Sequence, residues 1–94
     1  MNVLKKIGFS KTEIKVYYAL AKNKGEMTIK EIIKKAKVSE KSARNALKNL
    51  LKENFIRRKI VEGKRIFYKY RYVPLKKAWE HFKQNIEILI KSGN

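Results

Sequence analysis

The chain has no cysteine, which excludes disulfides, thiolate metal sites and cysteine nucleophiles. It also has no aspartate, and its eight acidic residues are glutamates scattered along the chain. The single histidine, His81, has no acidic or thiol partner at a spacing that suits a metal or a catalytic pair. It is expected to be structural or solvent-facing. There is no Gly-rich phosphate loop. Together these absences predict a protein that is not an enzyme and takes no metal or other cofactor. No apolar run approaches the roughly 20 residues of a membrane span. The opening MNVLKKIGFS lacks the uninterrupted apolar core of a signal peptide. A cytoplasmic location without a membrane partner is the expectation. With four glycines and one proline, no linker or low-complexity tract stands out.

What the chain has in excess is positive charge. Lys and Arg number 25 against 8 acidic residues, for a formal charge of +17. Such an imbalance favours a polyanionic partner, because basic side chains displace the counterions condensed on phosphates. The plain alternative is a lysine-rich surface that serves solubility. A length of 94 residues suits one small domain with a modest core, so self-association would add stability.

Helix starts are written clearly. Ser10 and Glu13 form a capping-box pattern, flanked by Phe9 and Ile14 as a hydrophobic staple. Ile14, Tyr17, Tyr18 and Ala21 then give an apolar stripe. A short leading helical turn around Val3, Leu4 and Ile7 is stopped by Gly8. Thr28 and Glu31 repeat the capping box, with Met27 and Ile32 as staple and Ile29, Ile32, Ile33 and Ala36 as stripe. After a short turn at Lys37 and Val38, Ser39 caps a third helix running to about Glu53. Asn54 is suited to end it in a left-handed conformation.

The third helix has two unlike faces. Ala43, Ala46, Leu47 and Leu50 share the side that must pack inward. Lys41, Asn45, Lys48 and Lys52 lie opposite, flanked by Ser42, Arg44 and Asn49. Asn can bond adenine through two hydrogen bonds, and Arg or Lys can meet guanine O6 and N7. Recognition helices touch bases mainly through their N-terminal residues. Lys41, Ser42, Arg44 and Asn45 are therefore expected at bases, and Lys48 and Lys52 at phosphates. A solvated polar face is the bland alternative.

A hairpin follows, with strands over 55–61 and 65–73 and a turn at Glu62-Gly63. Arg57, Arg58, Lys59, Lys64 and Arg65 cluster near its tip. They could lie on the DNA backbone or in the minor groove, or simply guard an edge strand against aggregation. Ile66, Tyr68, Tyr70 and Tyr72 share one strand face, expected to be core rather than a base-stacking row. Pro74 suits the start of a last helix. There Leu75, Trp79, Phe82, Ile86 and Leu89 recur at spacings of 4, 3, 4 and 3, a coiled-coil seam widened by Ala78 and Ile90. Packing back on its own domain is the alternative to a homodimer.

The predicted class is α+β, mainly α: a winged helix-turn-helix with a two-stranded basic wing and a C-terminal dimerisation helix. The DNA-binding unit spans 1–73 and the dimerisation helix 74–94. Three segments also carry a family likeness. IGFSKTEIKVYYAL resembles the opening of the TrmB-like archaeal transcriptional regulators. VSEKSARNALKNLLKENFI resembles their recognition helix and first wing strand, and YKYRYVP is similar to their wing exit. MarR-like regulators share the framework. Asn54 stands where these families usually carry Gly. Larger TrmB-like proteins add an effector-binding domain for which this length leaves no room. The resemblance thus implies DNA-binding transcriptional control without a small-molecule pocket; taken with the seam of the last helix, the expectation is a sequence-specific, homodimeric regulator of double-stranded DNA. Non-specific architectural DNA binding is the competing expectation, and a protein-interaction module in a transcription complex is a third.

Overall fold

Three helices of the computed structural model start where a hydroxyl side chain, of Ser10, Thr28 or Ser39, takes up an orphan backbone N–H. The structure describes residues 4–5, 8–23 and 25–80. Its elements are α1 (Lys11–Asn23), α2 (Ile29–Ala36), α3 (Glu40–Lys52), β1 (Ile56–Glu62) and β2 (Ile66–Tyr72). Residues 75–80 are also helical. At α1 the Glu13 N–H donates to Ser10 Oγ at 3.2 Å, and the Ser10 N–H donates back to Glu13 Oε1 at 3.3 Å. Thr28 and Glu31 close the same reciprocal box at α2. Ser39 caps α3 through the Ser42 N–H.

The turns depend on left-handed residues. Gly8 sits at φ 105°, where a side chain would be strained. Asn54 ends α3 at φ 62°, as its short polar side chain allows. Lys37 joins α2 to α3 at φ 56° and donates its N–H to the Ile33 carbonyl.

β1 and β2 pair antiparallel from Ile56–Tyr72 out to Glu62–Ile66. This register leaves a three-residue loop, Gly63, Lys64 and Arg65, instead of the two-residue turn at Glu62-Gly63. Gly63 is not in the left-handed region that such a tight turn demands. Met27 adds an isolated bridge to the far side of β2, exchanging hydrogen bonds of 2.9 and 2.8 Å with Tyr70.

The core lies between the three helices and the base of the hairpin. Tyr17, Phe55, Leu4, Leu20, Met27, Ile32, Leu50, Ile56 and Val16 are its largest fully buried side chains. The buried face of α1 is Val16, Tyr17 and Leu20, so the expected stripe is rotated, and Tyr18 stays exposed. The tyrosine row is core only at its base. Tyr70 is buried and Tyr72 half-buried, but Ile66 and Tyr68 are exposed because the hairpin outruns the helices. Ala78 is also buried in this core, so it is spent on its own domain instead of widening a seam. Trp79 is 40% exposed beside it. Phe82, Ile86, Leu89 and Ile90, like His81, lie outside the described residues.

One buried polar contact ties the halves together. The Tyr17 hydroxyl donates to the Val73 carbonyl at 2.7 Å. The Val73 N–H in turn donates to the Phe55 carbonyl at 2.9 Å. Burial first, and then the neighbouring Tyr72 and Tyr18, push the Tyr17 phenol from 10.0 up to about 12. Its folded value lies above the unfolded one. Stability from the neutral phenol is therefore full below pH 10 and lost as pH rises through 12. Tyr17→Phe is expected to cost about 1–2 kcal/mol at neutral pH in urea denaturation. That gap should narrow above pH 10; a gap constant with pH contradicts the tie.

Candidate nucleic-acid interface

The α3 helix buries Ala43, Ala46, Leu47 and Leu50, and this fixes what it shows to solvent. Lys41, Arg44, Asn45, Lys48 and Lys52 are exposed along the opposite side. Arg44 and Lys48 lean towards the hairpin, lining a cleft with Lys52, Arg58 and Tyr68 over a floor of Leu47, Leu51 and Tyr70. Ser42, Asn45 and Asn49 lean the other way, lining a shallow groove with Ser10, Thr12 and Glu13 at the start of α1.

Two of these side chains already have partners. Arg44 Nη2 pairs with Glu40 Oε1 at 3.2 Å, one turn back on the helix. Both groups are well exposed, so the pair is weak and easily exchanged for a stronger anion. Ser42 is half-buried, and its hydroxyl accepts from the Ser39 hydroxyl at 2.9 Å within the cap. Among the described residues, Lys41, Lys48 and Lys52 make no ion pair.

Alternation along the strands splits the basic hairpin. Arg58 faces α3, its guanidinium 4.3 Å from the centre of the Tyr68 ring. Arg57 and Lys59 point to the other side, and Lys59 Nζ pairs with Glu26 at 2.9 Å. Lys64 and Arg65 are exposed in the loop at the tip. Near the hairpin, hydrogen bonds from the Thr28 backbone and hydroxyl hold the Glu31 carboxyl below the usual carboxylate range, with Lys69 and Lys35 adding to the effect.

Three helices, an exposed outer face on the third and a basic hairpin beside it form a winged helix-turn-helix. A profile of the family described as sugar-specific transcriptional regulator TrmB matches residues 4–76. The chain belongs to the TrmB family. Solved structures agree on the fold. A possible transcriptional regulator from Methanosarcina mazei Go1 superposes with a TM-score of 0.75 at 10% identity, covering 96% of this chain and 78% of that one. TrmBL2, an archaeal chromatin protein with a novel mode of DNA binding, gives 0.74 at 25% identity. That match covers 97% of this chain but only 34% of TrmBL2, so the domain corresponds to about a third of that protein. A point mutant of MepR from S. aureus, bound to an oligodeoxyribonucleotide, gives 0.63 at 17% identity, covering 95% of this chain and 66% of that one. No curated protein matches the chain.

In this TrmB-family domain the six helix residues named from sequence share one side of α3, with Ser42 at its margin. Of the five hairpin residues, Arg58 joins that side and Lys64 and Arg65 stand at the tip. Arg57 and Lys59 are turned away from it. Sequence reasoning missed Tyr68 as a surface residue. It could have been found from its place in the tip half of β2, which three short helices cannot cover. Asn49, taken as a flank, shares the groove with Asn45.

The Arg58–Tyr68 contact should be measurable. A double-mutant cycle of Arg58→Ala and Tyr68→Leu is expected to give a coupling of about 0.5–1 kcal/mol in thermal unfolding. Zero coupling would mean that the guanidinium is not held over the ring.

Proposed function

We propose that this chain is a sequence-specific, double-stranded-DNA-binding transcriptional regulator, a repressor acting as a homodimer. The observation that carries it is the outer face of α3, where Arg44 and Asn45 stand exposed among Lys41, Lys48 and Lys52. Asn and Arg can each read a base edge through two hydrogen bonds, whereas a face of lysine alone would mainly hold phosphates. In this arrangement α3 enters the major groove, with Lys41, Ser42, Arg44 and Asn45 towards bases and Lys48 and Lys52 on phosphates. Arg58, Lys64 and Arg65 carry the wing onto the backbone or the minor groove beside it. Arg44 leaves Glu40 as it meets DNA, at little cost for so exposed a pair.

The partner copy is proposed from sequence. Leu75, Trp79, Phe82, Ile86, Leu89 and Ile90 supply an apolar seam on the last helix. A two-fold dimer built on it sets the two α3 helices about one DNA turn apart and favours an inverted repeat. Architectural, non-specific DNA binding is the second reading. The formal charge of +17 and the likeness to the archaeal chromatin protein TrmBL2 favour it.

Selection from a random duplex pool at about 0.15–0.2 M salt separates the two. An enriched inverted repeat with half-sites roughly 10 base pairs apart supports the regulator. Tight binding without enrichment supports the architectural protein. On the best site, Asn45→Ala is expected to cost about 1–3 kcal/mol and relax preference at one position. Lys52→Ala should weaken all sequences alike and flatten the salt slope by about one. Phe82→Glu with Ile86→Glu should give a folded monomer with much weaker operator binding; an unchanged dimer mass by light scattering would refute the seam.

A further inference from the structure

The far side of the hairpin carries charge that the fold does not use. Arg57 stands directly opposite Arg71, and Lys59 directly opposite Lys69. Like charges facing across strands destabilise a hairpin. The lysine pair is answered: Lys59 pairs with Glu26, and Lys69 helps to hold the Glu31 carboxyl ionised. The arginine pair is not. Neither Arg57 nor Arg71 makes an ion pair among the described residues. Lys77, from the helix that follows, adds a third cation to the cleft they line, and Glu80 is the one carboxylate among the described residues there. The floor is Tyr72, Val73 and Pro74, fixed to the core by the Tyr17–Val73 bond. Protection of an exposed edge would need charge along β1. It would not need a second arginine facing Arg57 from β2, nor a lysine from another helix.

We propose that this cleft behind the wing, lined by Arg57, Arg71 and Lys77, grips the phosphate backbone of a second DNA duplex. One chain then holds two duplexes, one on α3 and one behind the hairpin. Guanidinium forks match phosphate oxygens two at a time, and a phosphate between Arg57 and Arg71 turns their repulsion into a shared attraction. The hairpin itself separates the two sites. Arg58, Tyr68 and Tyr70 face α3, while Arg57 and Arg71 face away from it. A straight duplex seated on α3 therefore leaves the rear cleft open. The inference rests on α3 taking the first duplex.

The test uses the full chain, an immobilised biotinylated duplex and a free fluorescent duplex. Wild type should bind a single duplex and also retain the fluorescent one on the immobilised one. Arg57→Gln with Arg71→Gln should bind a single duplex within about threefold of wild type and lose capture of the second by on the order of tenfold or more. Its melting temperature should be at or above that of wild type, since a like-charged pair is removed. Lys77→Gln, on a different element, should give the same split more weakly. Capture that survives these substitutions would assign bridging to dimerisation and overturn the proposal. Equal loss of both activities would place the cleft within the first contact, and also overturn it. Single-duplex binding without second-duplex capture in wild type overturns this inference alone. No binding of any duplex overturns the α3 assignment as well.

Discussion

The hydrogen bond from the Tyr17 hydroxyl to the Val73 carbonyl is the constraint on which the layout of the domain turns. It joins residues 56 positions apart, from the middle of α1 to the exit of β2. Val73 is bonded to Phe55, and Phe55 packs edge-on against both Tyr17 and Phe9. The end of α3, the root of the hairpin and the face of α1 are therefore locked in one aromatic cluster. On the other side of β2, Met27 fixes the strand to the start of α2. Held at these two points, the hairpin can project beyond the helices without losing its angle to α3. That angle makes the cleft between Lys48, Lys52 and Arg58.

No charged side chain is buried among the described residues. Every cation there is at or near the surface, where it repels the others and is answered by few carboxylates. Solubility explains some of this charge, but not its placement. On α3 the cations are interleaved with Asn45 and Asn49, and behind the hairpin two arginines face each other. Binding of a polyanion would relieve self-repulsion at both places, and charge that opposes folding of the free domain would then strengthen its complexes.

Local features were legible in the sequence because their causes are local. Two capping boxes, the Ser39 cap, the left-handed Asn54 and the two strands each depend on residues within a few positions of one another. The two faces of α3 were legible because Ala43, Ala46, Leu47 and Leu50 repeat at helical spacing. What was not legible depended on docking. In α1, Tyr18 and Tyr17 are equally apolar, and only contact with Phe55 and Tyr72 decides that Tyr17 is the buried one. In the hairpin, alternation separates Arg57 from Arg58, but which of them looks at α3 is set by the distant bonds of Tyr17 and Met27. The tyrosine row has the composition of a core strand, and its outer half is exposed because the helices are too short to reach it.

Amide and side-chain NMR shifts of the full chain, followed while a short duplex is added at about 0.15 M salt, bear most directly on the α3 interface. At substoichiometric duplex, the largest changes are expected at Lys41, Arg44, Asn45 and Lys48 on α3 and at Arg58 and the Lys64–Arg65 tip. Arg57, Arg71 and Lys77 should move only when duplex is in excess. First changes confined to any other face, with α3 unmoved, would contradict the account.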